Sequence, residues 1–330
     1  MIKKQFAAVC LVMLGFSTGL YADPAAVSVV EKIVDVQHQL FNGPRPGLRS
    51  NHTKGIVVVG EFTPSKAAKN ISEAIHLQAQ SSPAVVRFSN ATGFPDIADN
   101  DPRGMAKGVA IRLDLGDEGY HDLVFSSVPM FPVSTPELLL EMLAAISQSG
   151  PDVASPKPIE TFLEAHPSAK RFVQHPKPHP KSFASLSYHG VNAFRFINEQ
   201  GDVVYGRYIL SPVEGEQHLD PDKGKQQHAD YLVNELPQRL QQDAVVMRLS
   251  VQLAAPEDEV NDATAIWPED RPVVELGLLK LEAMHDNAEA FERATMFNPL
   301  ALPDGIEISD DPILRVRPAA YAISFSHRMN

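Results

Sequence analysis

Arg317, Tyr321 and Arg328 stand at i, i+4 and i+11 in the C-terminal stretch of the chain. On a helix of 3.6 residues per turn all three project from roughly one face. A phenol titrates near pH ~10, and a cation within a few ångströms lowers that value by favouring the phenolate. Phenolate is a hard anionic ligand suited to ferric haem iron, and this spacing would set two guanidiniums beside one such oxygen. Pro318 suits a first helical turn, where its missing N–H would be unpaired anyway, and Ala319, Ala320 and Ala322 are good helix formers, so a short helix from Pro318 is expected. Taken alone, RxxxY reads more simply as a half-buried aromatic on an amphipathic terminal helix. His52, at the mouth of the β-branched run Ile56 to Val59, is an imidazole able to move protons near neutral pH. By itself such a histidine is a surface or hydrogen-bonded structural residue.

The elements that must position these groups follow from patterning. Val27, Val30, Ile33, Val34 and Leu40 give Asp23 to Phe41 a helical period, stopped by Gly43 and Pro44. A strand ends at Gly60-x-Phe62, and Ser65 would cap a helix from Lys66 to about Ala79. The strand Pro83 to Asn90 delivers Arg87 and Ser89 to one face and Phe88 to the other. Further strands are expected at Gly108 to Leu115, Asp122 to Phe131, Ser185 to Phe196, Val203 to Leu210, Ala244 to Leu253 and Val273 to Leu281. Helices are expected at Pro136 to Ile146 and Asp230 to Gln242, the second interrupted by Pro237, with a Pro- and His-rich wrapping region running to Pro180. Many strands separated by turns or single helices make this an α+β chain: a closed antiparallel β-barrel with helical additions, which also suits a buried planar cofactor.

Lys3 and Lys4, the apolar run Phe6 to Phe16 and Ala22 read as a secretory signal over residues 1–22, leaving 23–330 as one domain exported to the periplasm. The run is short of the roughly 20 residues that span a bilayer. Cys10 is the sole cysteine and would leave with the signal, so no disulfide or thiolate metal site is expected. Loss of the two leader lysines would take the net charge from −12 to −14, which argues against nucleic acid or an anionic membrane as partner. His175, His179, His218 and His228 read as solvated loop residues, with a surface metal as the alternative.

Six stretches then agree in order and spacing: HTKG at 52–55, RFSNATG at 87–93, DPRG at 101–104, YHGVNAF at 188–194, FNPLALPDGI at 297–306, and Arg317 to Arg328. Over about residues 30–330 the sequence resembles the catalase-related peroxidases, a compact branch of the haem catalases without the dimer-threading arms and the extra C-terminal domain. The resemblance implies a haem catalase-like core holding haem b. It implies that His52 matches the distal acid–base histidine and Ser89 the serine that fixes its ring. Tyr321 matches the proximal iron ligand and Arg317 the arginine that keeps it ionised. Arg49, Arg87 and Arg328 match the propionate and proximal-side arginines, a role suited to planar forks facing carboxylates.

Two positions depart from the family pattern. Ser126 stands where catalases place a distal asparagine, and Asn51 replaces the valine before the distal histidine. A hydroxyl reaches less far than an amide, so peroxidase turnover is expected to prevail over dismutation. The expected activity is reduction of hydrogen peroxide or small organic peroxides with a small organic electron donor, with weak catalase activity, by a monomer or small homo-oligomer. The alternatives are an allene-oxide-synthase-like rearrangement of a lipid hydroperoxide and an exported haem carrier. A carrier has no need of the His52 and Ser89 pair.

Overall fold

The computed structural model describes residues 24–78 and 80–329, so the expected leader over residues 1–22 lies outside the described residues. In β2 (Ser82–Asn90) the residues Ala84, Val86 and Phe88 turn to one face, while Arg87 and Ser89 turn to the other. β1 (Gly55–Pro64) and β3 (Lys107–Asp114) flank it, and β4 (Tyr120–Ser126) follows β3. The sheet continues through the short β5 (Tyr188–His189) and β6 (Phe194–Ile197), which line one edge of β7 (Val203–Pro212). β8 (Val245–Leu253) and β9 (Val273–Met284) return the ring to β1. With β5 and β6 counted as one interrupted strand, the barrel closes; β10 (Ile306–Ile308) pairs with β6 outside the ring. Every one of these pairings is antiparallel, so the α+β barrel with helical additions is observed as expected.

The barrel interior is filled by side chains, among them Phe62, Phe88, Ile111, Phe125, Tyr208 and Leu249. The phenylalanines, Ile111 and Leu249 each contribute about 1.5–3 kcal/mol by leaving water. Arg87 and Ser89 therefore stand on the outer face of the wall, and a planar cofactor facing them would lie outside the packed interior. The covering layer comes from α1 (Pro24–Leu40), α2 (Pro136–Ser147), α3 (Pro158–Ala165), α4 (Pro167–Gln174), α5 (Pro221–Lys225), α6 (Tyr231–Leu240), α7 (Ala288–Ala294) and α8 (Pro312–Met329). Of these, α7 and α8 reach the outer face where the chemistry-bearing residues gather. No described helix is long and apolar enough to cross a membrane.

Three local expectations are corrected. The helix expected from Lys66 to Ala79 is instead two 3₁₀ turns, Ala68–Asn70 and Ile75–Leu77. Its buried apolar residues Ala68, Ile71, Ala74 and Leu77 recur every third position, the 3₁₀ period, and the Ser72 hydroxyl accepts from the Ala74 N–H at 3.1 Å, a local turn that competes with an α-helix. The wrapping region contains α3 and α4, each with a proline in its first turn. Finally, α8 begins at Pro312, so Pro318 lies inside the helix and not at its start. Asp311 sets that start, its carboxylate accepting from Ile313 N at 2.8 Å and Leu314 N at 3.4 Å.

A buried histidine pair adds a pH dependence that the patterning does not reveal. His76 and His121 are about 1 % exposed, with Nε2 and Nδ1 3.3 Å apart. Burial pushes His76 down to about 3, and burial with the His76 charge takes His121 well below its ordinary value. Both imidazoles are neutral in the folded and unfolded states above pH ~6.5; below it the unfolded chain takes protons first, so stability is lost as the pH falls. The thermal midpoint should drop steadily from pH 6.5 to 4 by circular dichroism, and less steeply in His76→Gln. Equal slopes in the two proteins would show that the pair does not set the acid limit.

Candidate active site

One rung of the sheet organises the first half of the site. Gly55, Ser89, Gly108, Ser126 and His189 are consecutive partners across β1 to β5, so they share the outer face. His52 lies just before β1 with φ of +54°, a left-handed conformation that swings its ring back over this rung. Its Nδ1 is 3.0 Å from Ser89 Oγ. Only glycine fits beneath the ring, because a Cβ on Gly108 would come within 2.6 Å of His52 Cε1. The Ser89 hydroxyl has one proton and donates it to Gly108 O at 3.4 Å. It therefore accepts from Nδ1–H, which assigns the other nitrogen, Nε2, a free lone pair. Burial, and then the charges of Arg87, Arg317 and Arg49, push His52 down to about 3, so the ring is a neutral base at physiological pH.

A polar clamp backs this rung. The fully buried Lys107 donates to Asn90 Oδ1 at 2.7 Å, Asp99 O at 2.8 Å and Gly104 O at 2.7 Å, and Asp99 pairs with Lys54 at 3.0 Å. Asn90 follows Ser89, Lys107 precedes Gly108 and Lys54 lies two residues after His52, so the clamp holds the strand ends that carry the pair. Burial lowers Lys107 to about 7.

The second half is built on α8. Arg317 Nη2 and Nε donate to the Tyr321 oxygen at 2.8 and 3.1 Å, one helical turn apart. Arg317 Nη1 also donates to Asn192 Oδ1 at 2.7 Å, and Asn192 Nδ2 donates to Asp311 Oδ2 at 2.7 Å. Asp311, the residue that caps the helix, thus aligns the arginine as well. Arg328 does not flank Tyr321 as the spacing suggested: it shares the face, but seven residues separate the two by about 10 Å along the axis. It donates instead to Glu292 O at 2.7 Å and Thr295 O at 2.9 Å. Arg49 donates to the same two carbonyls at 3.4 and 3.2 Å, and Arg87 pairs with the Glu292 carboxylate at 2.9 Å. Burial, then Arg87 and Arg328, push Arg49 down to about 8, partly offset by Glu292 and Tyr321. The histidine, the tyrosine and the arginines therefore lie in one electrostatic field.

The family model described as Catalase matches residues 23–330. The chain belongs to the catalase family. It is 32% identical over 289 residues to a catalase-related peroxidase of Mycolicibacterium paratuberculosis, covering 87% of this chain and 90% of that relative. It is 33% identical over 293 residues to one of Synechococcus elongatus, covering 87% and 85%. Among solved structures, catalase A from Saccharomyces cerevisiae superposes with a TM-score of 0.76 at 20% identity, covering 88% of this chain and 63% of that one, which shows the shared fold. The chain thus spans less than two thirds of that larger catalase. Catalase-family proteins use haem, and the donor set here fits one. Among the described residues, buried Nε of Arg49, Arg87 and Arg328 has no partner, three cations face one carboxylate, and the Tyr321 oxygen is held as an electron-pair donor.

Seven of the eight residues singled out in the sequence fall into two linked groups: His52, Ser89 and Ser126 on the rung, and Arg49, Arg87, Arg317 and Tyr321 around the arginine field. Arg328 joins that field from the far end of α8. Gly108, Asn192, Glu292 and Asp311 were not anticipated in these roles. Asp311 had a local signal, since Asp followed by Pro is a helix-start signature, and Asn192 stood within the singled-out YHGVNAF stretch. Among the described residues no group of three or more His, Cys, Asp or Glu could hold a metal ion.

Proposed function

We propose that this catalase-family chain is a haem-b peroxidase of the periplasm, reducing hydrogen peroxide or small organic peroxides with an external organic donor and with only weak catalase activity. The observation that carries this reading is the coexistence of an oriented neutral histidine and an arginine-held tyrosine in one charged field. Tyr321 would hold the iron, and Arg49, Arg87 and Arg328 the carboxylates. Bound there, haem supplies the redox equivalents for cleaving the peroxide O–O bond.

The chain's own residues manage the protons. His52 Nε2, with its free lone pair, takes the proton from one peroxide oxygen. The resulting imidazolium is strongly disfavoured by burial and by Arg87, Arg317 and Arg49, so it passes the proton to the departing oxygen. Ser89 and Gly108 hold the ring in place throughout, and Asn192 and Asp311 fix Arg317 against Tyr321. Titration of the purified protein with haemin should show one binding site per chain, and peroxide consumption should rise when an organic donor is added. Absence of a saturable site would overturn the reading.

Ser126 bears on how the second half of turnover is divided. Oxygen evolution requires a second peroxide held between His52 and a distal donor, and Ser126 Oγ is short and already accepts from Val128 N at 3.1 Å. Ser126→Asn should raise the ratio of oxygen evolved to donor oxidised by about fivefold, the worth of one hydrogen bond of about 1 kcal/mol. An unchanged ratio would remove Ser126 from the account. Periplasmic export rests on the charged and apolar pattern of residues 3–16, and cell fractionation tests it.

A further inference from the structure

The arginine field contains a carboxylate of its own. Arg87 is a fixed partner: its side chain is 4% exposed, it donates to Thr53 O at 3.2 Å, and it lies under Gly55, where a Cβ would come within 2.8 Å of its Nη2. Glu292 is a movable one. It sits on the short α7 with a quarter of its side chain in solvent, and among the described residues Arg87 is the one partner of its carboxylate. Arg49 and Arg328 bond to backbone carbonyls of Glu292 and Thr295, dipoles that orient a guanidinium without neutralising it. Three positive charges thus face one negative charge. Such a corner would attract any small anion, yet one of its buried cations, Arg87, is already paired to an anion tethered to the same chain.

We infer that Glu292 is a specificity-determining residue of this site, an intramolecular counter-ion that holds Arg87 against free phosphate and similar small anions and yields it to a carboxylate carried on a large ligand. The inference deepens the proposed function, on which that ligand is haem. A tethered carboxylate acts at an effective concentration in the millimolar range or above, which a dilute free anion does not match. A haem carboxylate is itself tethered by the rest of the ligand, including its contact with Tyr321, so it can exchange with Glu292 on equal terms.

The test uses full-length wild type and Glu292→Gln, each prepared without haem. In the phosphate arm, the thermal midpoint of the variant should rise with added inorganic phosphate, as mass action requires of a ligand that binds the folded state. The wild-type midpoint should stay flat. In the haem arm, the variant should bind haem about tenfold more tightly, roughly one ion pair's worth of free energy, and should bind the uncharged haem dimethyl ester no more tightly than wild type does. Equal phosphate responses, or weaker haem binding by the variant, would overturn the inference and make Glu292 a support for Arg87. A structure of haem-loaded wild type needs no variant to fold: Arg87 should have left Glu292 for a haem carboxylate, and a persisting 2.9 Å pair would contradict exchange. If wild type took up no haem, the proposed function would fail while the phosphate arm still decided the role of Glu292.

Discussion

Tyr321→Phe should lose haem on gel filtration, with retention weakened by more than about a hundredfold. The substitution keeps the ring and removes only the oxygen to which Arg317 donates at 2.8 and 3.1 Å. Losing an outer partner of a metal ligand typically costs ~10–100-fold in affinity, and losing the ligand itself costs more. The chain supplies an internal scale for this comparison. Asn192→Ala leaves the Tyr321 oxygen in place and unties Arg317 from Asp311, so its loss should fall within the outer-partner range. A Tyr321→Phe protein that emerged with haem at wild-type stoichiometry and an unchanged spectrum would remove Tyr321 from the iron.

His52→Ala should have the second large effect, and of a different kind. Haem retention should be unchanged, because the His52 ring is held by Ser89 and Gly108 and is not among the arginines that would bind the carboxylates. Peroxide consumption should fall by ~10²–10⁴-fold, the usual worth of positioned acid–base assistance. Ser89→Ala should cost far less, since the ring keeps its seat on Gly108 and loses one hydrogen bond worth about 1 kcal/mol. A wild-type rate of peroxide consumption in His52→Ala would move the proton transfer to another group.

The legible parts of this molecule are those with a local period. Alternation in Ser82–Asn90 put Arg87 and Ser89 on one face, and the i, i+4 spacing put Arg317 against Tyr321, although α8 starts six residues earlier than Pro318 suggested. That contact survived the misplaced start because it depends on helical pitch and not on where the helix begins. The same arithmetic misled for Arg328, where a shared face was read without the rise along the axis. The partners that complete the site lie far away in sequence. Arg317 meets Asn192 across 125 positions, and Arg49 meets Thr295 across 246. Closure of the barrel brings them together, and no local pattern encodes that closure. Gly108 was hidden for another reason: its role is the absence of a side chain beneath a ring that only the left-handed backbone at His52 places there.

Oxygen evolution and donor oxidation, recorded together on the haem-loaded wild type at one peroxide concentration, test the central claim most directly. On the proposed function the two routes would share the first peroxide reduction, with His52 moving the proton, and would divide afterwards, so their ratio would report what the rung of Ser89 and Ser126 favours. An added organic donor should be oxidised in step with peroxide consumed, and oxygen evolution should fall as donor rises. Rapid oxygen evolution that ignored the donor at every concentration would contradict that claim.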